Sequence, residues 1–107
     1  MLSESEFNKL IDETFSALEL ALDDVDADLD YETSGGVLTV TFENDTRLVF
    51  SRQPPTRQLW LAARSGGFHF AYDEAAGDWR NTRDEQLFRP FVVQQMQSQG
   101  DVAFVWN

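Results

Sequence analysis

The stretch that decides the fold is Gly35-Gly36-Val37-Leu38-Thr39-Val40-Thr41-Phe42-Glu43-Asn44-Asp45-Thr46-Arg47-Leu48-Val49-Phe50-Ser51-Arg52. Leu38, Val40 and Phe42 alternate with Val37, Thr39 and Thr41. A period of two in β-branched and aromatic residues predicts a strand over 37–43. Asn44-Asp45 reads as a two-residue hairpin turn, although it lacks the favoured Gly. Residues 47–52 then form the partner strand, with Leu48 and Phe50 turned inward.

Outward from this hairpin the pattern continues. Upstream, Asp28, Asp30 and Glu32 alternate with Leu29, Tyr31 and Thr33, which predicts an edge strand closed by the turn Ser34-Gly35-Gly36. Downstream, Pro54-Pro55 breaks the chain. Leu59, Leu61 and Ala63 then alternate with Gln58, Trp60 and Ala62. Ser65-Gly66-Gly67 turns into Phe68, Phe70 and Tyr72, which alternate with His69 and Ala71, and Asp78-Trp79-Arg80 is a short strand.

Both ends read as helices. Over 3–24, Phe7, Ile11, Phe15, Leu18, Leu22 and Val25 make one apolar stripe, with Ser3 or Ser5 as cap and Glu4 and Glu6 at the positive end of the dipole. Asp84 to Gln99 reads as a second helix, with Leu87, Phe88, Phe91, Val92 and Met96 buried. Pro90 belongs in a first turn, so regular helix starts near Leu87 or Phe88; Gly100 ends it and an apolar tail follows. Two single-striped helices cover only one face of a sheet whose short turns favour antiparallel neighbours. The predicted fold is α+β: a two-layer sandwich with two helices on one face of a five- to six-stranded antiparallel sheet, in a single domain over 1–107.

Hydrophobic residues are 42% of the 107, enough for a core, so wholesale disorder is excluded. The chain has no Cys, which excludes disulfides, thiolate-ligated clusters and thiol catalysis. The first residues carry neither a basic region nor an apolar segment, so no signal peptide is expected, and no apolar run approaches a membrane span. A cytoplasmic location is the default.

The net charge is −11, and its distribution is uneven. Residues 1–45 hold thirteen acids and one base, while residues 46–107 hold six acids and seven Arg. Such a body repels nucleic acid and anionic membrane and attracts cations and basic protein surfaces. Asp12, Glu19, Asp23 and Asp26 fall on one line of the first helix, a quarter turn from its apolar stripe, and the line runs on into Asp28, Asp30 and Glu32. Like charges at i,i+4 cost folding energy. Hard oxygen ligands suit iron, manganese, magnesium and calcium; a merely solubilising acidic face is the alternative. Asp24, Asp26 and Asp28 imitate the start of an EF-hand, but Leu29 stands where Gly is needed and Gly35 where Glu is needed. Metal sites on this line are expected to be weak, multiple and labile.

Alternation puts Trp60 with Gln58 and Ala62 on the wet sheet face, where Trp is costly unless a partner covers it. Arg52, Arg57 and Arg64 lie close to it in sequence. Packing on neighbouring side chains, with no further role, is the alternative. His69 is the sole His, so it makes no metal site alone. No phosphate loop, catalytic triad or zinc motif is present.

The ordered set Glu6-Phe7, Leu22-Asp23-Asp24-Val25-Asp26, Gly35 to Asn44, Arg52-Gln53-x-Pro55, Gln58-Leu59-Trp60-Leu61-Ala62, Gly66-Gly67-Phe68-His69-Phe70 and Asp78-Trp79-Arg80 resembles the bacterial frataxins, the CyaY family. The resemblance implies a frataxin-like fold and an iron-binding protein of iron–sulfur cluster assembly. It implies an iron donor, an iron-dependent regulator of cysteine desulfurase, or both, and no enzyme; ferroxidase activity is not expected. It implies weak, labile Fe²⁺/Fe³⁺ binding, other hard divalent cations being alternatives, at Glu19, Asp23, Asp24, Asp26, Asp28, Asp30 and Glu32. It implies docking on the desulfurase and the iron–sulfur scaffold protein through Asp23, Asp26, Trp60, Arg52 and Gln58. The expected state is mainly monomeric, with an iron-induced oligomer as the alternative. Leu20 stands where the family has another acid. An acidic interaction module or inhibitor that needs no metal is the competing reading.

Overall fold

Helix α1 spans Glu4–Asp23, and its start is fixed by a capping box. The Glu6 N–H donates to Ser3 Oγ and the Ser3 N–H donates to Glu6 Oε1, both at 3.1 Å. Hydrogen bonding of the Glu6 carboxyl by the Ser3 hydroxyl, and next by the Ser3 N–H, draws it below its usual range. Of the predicted stripe, Phe7, Ile11, Phe15, Leu18 and Leu22 are buried and Val25 is half-buried. These elements come from a computed structural model, which describes residues 2–26 and 28–106.

Six strands follow: β1 Leu29–Ser34, β2 Val37–Phe42, β3 Arg47–Gln53, β4 Gln58–Ala63, β5 Gly66–Asp73 and β6 Asp78–Asn81. They lie side by side in chain order, each antiparallel to the next. A 3-10 turn at Pro54–Thr56 separates β3 from β4. Helix α2, Phe88–Gly100, packs beside α1 on the same sheet face, against Phe50 of β3 and Phe70 of β5. Leu38, Val40, Phe42, Leu48, Phe50, Leu59, Leu61 and Phe70 point into that layer and are buried. Phe88 sits at its centre, edge-on to Phe50, Phe70 and Trp106 with centroids 5.1–5.9 Å apart. The architecture is the expected two-layer sandwich, with six strands.

One local expectation needs correction, the width of the first hairpin turn, while α2 starts and ends where the sequence places it, near Phe88 and at Gly100. The turn after β2 is wider than two residues: the Phe42 N–H donates to the Thr46 carbonyl, and Asp45 takes a φ of 67°. The width lets the Asn44 amide donate to the Gln99 carbonyl at the end of α2 (2.8 Å). Residues 82–87 form a turn and bridge before α2, so the helix begins at Phe88 and Pro90 sits in its first turn, where no N–H is needed. Gly100 closes α2 for a packing reason: a Cβ there would stand 2.3 Å from the Phe42 ring, and the left-handed residue is the next one, Asp101 (φ 52°). The tail beyond it buries Val102 and Phe104, and Trp106 lies under the Arg89 guanidinium at 4.9 Å.

Candidate functional site

Two surfaces carry the residues singled out above. The first is the edge where α1 meets β1. Strand alternation divides its acids between two faces. Tyr31 pairs across the sheet with the buried Val40, so Leu29, Tyr31 and Thr33 turn toward α1. The Tyr31 hydroxyl donates to Asp23 Oδ1 at 2.6 Å, and the Thr33 hydroxyl donates to Glu19 Oε2 at 2.8 Å. The Asp23 bond is the main cause that raises the Tyr31 phenol above its usual value. Helix and edge strand are thus tied by two ridge carboxylates, which keep acceptor capacity to spare.

Asp30 and Glu32 pair with Thr41 and Thr39 and stand on the other side of β1, on the open sheet face. Asp24, Asp26 and Asp28 are exposed in the connection between α1 and β1, which also holds Ala27, outside the described residues. Asp28 and Asp30 line an open cleft of about 350 Å³ with Glu43 and Asp45, which the sequence places at the end of the next strand and in the turn after it. Asp24, Asp26, Asp28, Asp30 and Glu32 form no ion pair among the described residues. Nor do any three carboxylate or imidazole side chains among the described residues converge there as a metal-holding group. Leu20 is 68% exposed in the midst of these acids.

Asp12 does not join this surface. Its Oδ1 accepts from Arg52 Nη2 at 2.8 Å, and Arg52 Nη1 donates to Asn8 Oδ1 at 2.9 Å. This corrects the expectation that Arg52 stands beside Trp60. Arg52 pairs in register with the buried Leu59, and its guanidinium reaches back to α1, over the Phe15 ring at 6.0 Å. Two residues of spacing along β3 put it on the helix side with Leu48 and Phe50.

The second surface is the open sheet face. Trp60 and Gln58 lie there, as alternation predicts, between buried Leu59 and Leu61. Trp60 is half-buried, its indole stacked on His69 (centroids 6.3 Å, planes 29° apart) and passing over Gly67. At the β6 side, Arg80 is tied to Asp73 (Nη2 to Oδ2, 2.7 Å), which holds the Asp73 carboxyl below its usual value.

Sequence reasoning missed several polar residues inside the fold. Asp78 is buried and accepts from the N–H groups of Trp79 and Arg89; burial raises its carboxyl above the usual value against those two bonds. Gln99 is buried, accepting from the Arg64 N–H and donating to the Arg47 carbonyl. Neither has a local sequence signal, because the Arg89 partner of Asp78 and the Arg64 and Arg47 partners of Gln99 lie far along the chain. Tyr31 and Thr33 did have one: their parity opposite Asp30 and Glu32.

A family model described as a frataxin-like domain matches residues 1–102. The iron-sulfur cluster assembly protein CyaY of Pseudomonas fluorescens (strain Pf0-1) is 50% identical over 103 residues, covering 96% of this chain and 94% of that protein. Among solved structures, the frataxin from Psychromonas ingrahamii, of the CyaY family, superposes with a TM-score of 0.92 at 32% identity, covering 99% of both chains. The trimeric frataxin of the yeast Saccharomyces cerevisiae, complexed with ferrous iron, shares the fold (TM-score 0.68, 23% identity, 94% of this chain and 88% of that one). No helix among the described residues is long and apolar enough to cross a membrane.

Proposed function

The chain belongs to the frataxin-like family of iron–sulfur cluster assembly proteins, and from that premise we propose that it holds iron loosely on the α1–β1 edge and docks with the same charge on cysteine desulfurase, in the cytoplasm. The proposed iron-binding carboxylates are Glu19, Asp23, Asp24, Asp26, Asp28, Asp30 and Glu32. One observation supports this above the rest: the edge keeps a run of exposed acids without ion pairs among the described residues, while Asp12 and Asp73, elsewhere, are paired with Arg. Exposed oxygen donors without a closed coordination sphere give modest affinity and fast release, which suits an ion that is cargo. The ferrous complex of the yeast frataxin agrees with iron as that cargo.

Docking on a basic partner draws on the same field, so association is fast and salt-sensitive. Bound iron neutralises part of the ridge and thereby alters docking, which lets one surface deliver iron and regulate the desulfurase. The scaffold protein is proposed to meet the open sheet face at Trp60 and Gln58. The protein acts as an accessory rather than a catalyst, mainly as a monomer.

The test is the double variant Asp23→Asn with Asp26→Asn, measured by ferrous titration and by desulfurase binding at low salt. Both affinities are expected to fall. Wild-type values for both sink the proposal. A loss of desulfurase binding alone supports the metal-free acidic module, the reading that the lack of three convergent ligands among the described residues favours. Trp60→Ala is expected to leave melting and iron affinity unchanged and to weaken scaffold binding at least about tenfold, as loss of an interface anchor does.

A further inference from the structure

Gly66 and Gly67 stand together at the start of β5, but for different reasons. Gly66 has a φ of 144°, a conformation that favours glycine, and it completes the turn. Gly67 is absent from the positive-φ residues; its backbone is ordinary strand, paired with Ala62. Glycine inside a strand weakens it, since it adds chain entropy to the unfolded state and packs nothing. The backbone therefore does not account for Gly67.

The side chain above it does. A Cβ built on Gly67 would lie 3.1 Å from Trp60 Nε1 and 3.6 Å from Cε2 and Cζ2. The indole edge occupies the space a side chain would take. Beside it is the imidazole of His69, directly opposite Trp60 in the β4–β5 register and stacked at 6.3 Å. A gap on one side and a ring on the other hold an indole that would otherwise sample several rotamers on a wet sheet face.

We propose that Gly67 is a positioning residue for Trp60: with His69 it lays the indole along the sheet in one attitude, presenting a preformed flat platform to the iron–sulfur scaffold protein. The proposal rests on the reading of Trp60 as the scaffold contact. A pre-set aromatic loses little freedom on binding, so the gain appears in affinity without any contact by Gly67 itself. Gly67 touches no partner; it acts through Trp60.

Gly67→Ala adds one carbon where the indole edge lies and asks nothing unusual of the backbone. The Trp60 indole N–H resonance, identified by its loss in Trp60→Ala, is expected to shift or broaden in Gly67→Ala, while the Trp79 and Trp106 resonances stay in place. Binding to purified scaffold protein is expected to weaken roughly threefold to tenfold. In a Trp60→Ala background the same change is expected to have no further effect, because the group it positions is gone. His69→Ala, which removes the neighbouring ring at an exposed site and adds no atoms, is expected to mobilise the same resonance and serves if Gly67→Ala fails to fold. An unmoved indole resonance in both variants overturns the proposal even if Trp60→Ala weakens binding. Wild-type binding by Trp60→Ala overturns the scaffold reading of Trp60, and the functional half of the proposal with it.

Discussion

Asp78, 7% exposed, caps a helix to which it does not belong. The α2 N-cap is Leu87, whose side chain offers no acceptor, and Asp78 Oδ2 accepts from the Arg89 N–H at 3.0 Å in its place. Asp78→Ala leaves that N–H and the Trp79 N–H without this acceptor and is expected to cost about 1–3 kcal/mol, read from urea unfolding. The two shifted carboxylates of this corner should respond to pH with opposite sign. Burial raises Asp78 above its ordinary 3.8, so its proton is held more tightly in the folded state. Its contribution is most favourable below about 3.8 and declines as pH rises through the raised folded value. Arg80 lowers Asp73, whose contribution is present above 3.8 and is lost as pH falls through the lowered folded value. Across a pH series of unfolding curves, the penalty of Asp78→Asn is expected to grow toward acid and that of Asp73→Asn to shrink. Parallel penalties contradict this assignment. The role of Asp78 was not readable from the chain, since the Arg89 N–H it caps lies eleven residues away on another element.

At the scale of elements, the helices end for different reasons. α1 starts on local chemistry, and Ser3→Ala is expected to cost about 1 kcal/mol. α2 ends on tertiary packing. The Phe42 ring lies 2.3 Å from where a Gly100 Cβ would stand, so Gly100→Ala must displace that ring. It is expected to cost about 1–3 kcal/mol by overpacking. Shortening the ring in a Phe42→Leu, Gly100→Ala double variant should return part of that loss, and strict additivity in melting would show that the contact is not the cause. A five- to six-stranded sheet, both helices and the inward faces of α1 and β2–β4 were legible because each repeats a local period. The width of the 43–46 turn was not, because Asn44 is committed to the Gln99 carbonyl.

Over the whole molecule, a charge of −11 concentrated in the first 45 residues opposes compaction. Raising ionic strength from about 0.01 M to about 0.15 M shortens the screening length from about 30 Å to about 8 Å. The melting temperature is expected to rise over that range. Asp23→Asn with Asp26→Asn should raise the low-salt melting temperature and flatten the salt dependence, because two of the repelling charges are gone. Melting that ignores salt would show that the ridge carries no electrostatic strain.

The sequence by itself determined the layers: alternation and the helical stripe record which side of each element avoids water, and that choice is local. It also determined that acids crowd one end of the chain. Only the tertiary structure decided which side chains meet. It paired Arg52, already on the helix side by strand alternation, with Asp12 of α1, and it tied Glu19 and Asp23 to Thr33 and Tyr31. It also brought Glu43 and Asp45 to the cleft of Asp28 and Asp30. Those pairings depend on the register and packing of elements far apart in the chain, and no local period carries that information.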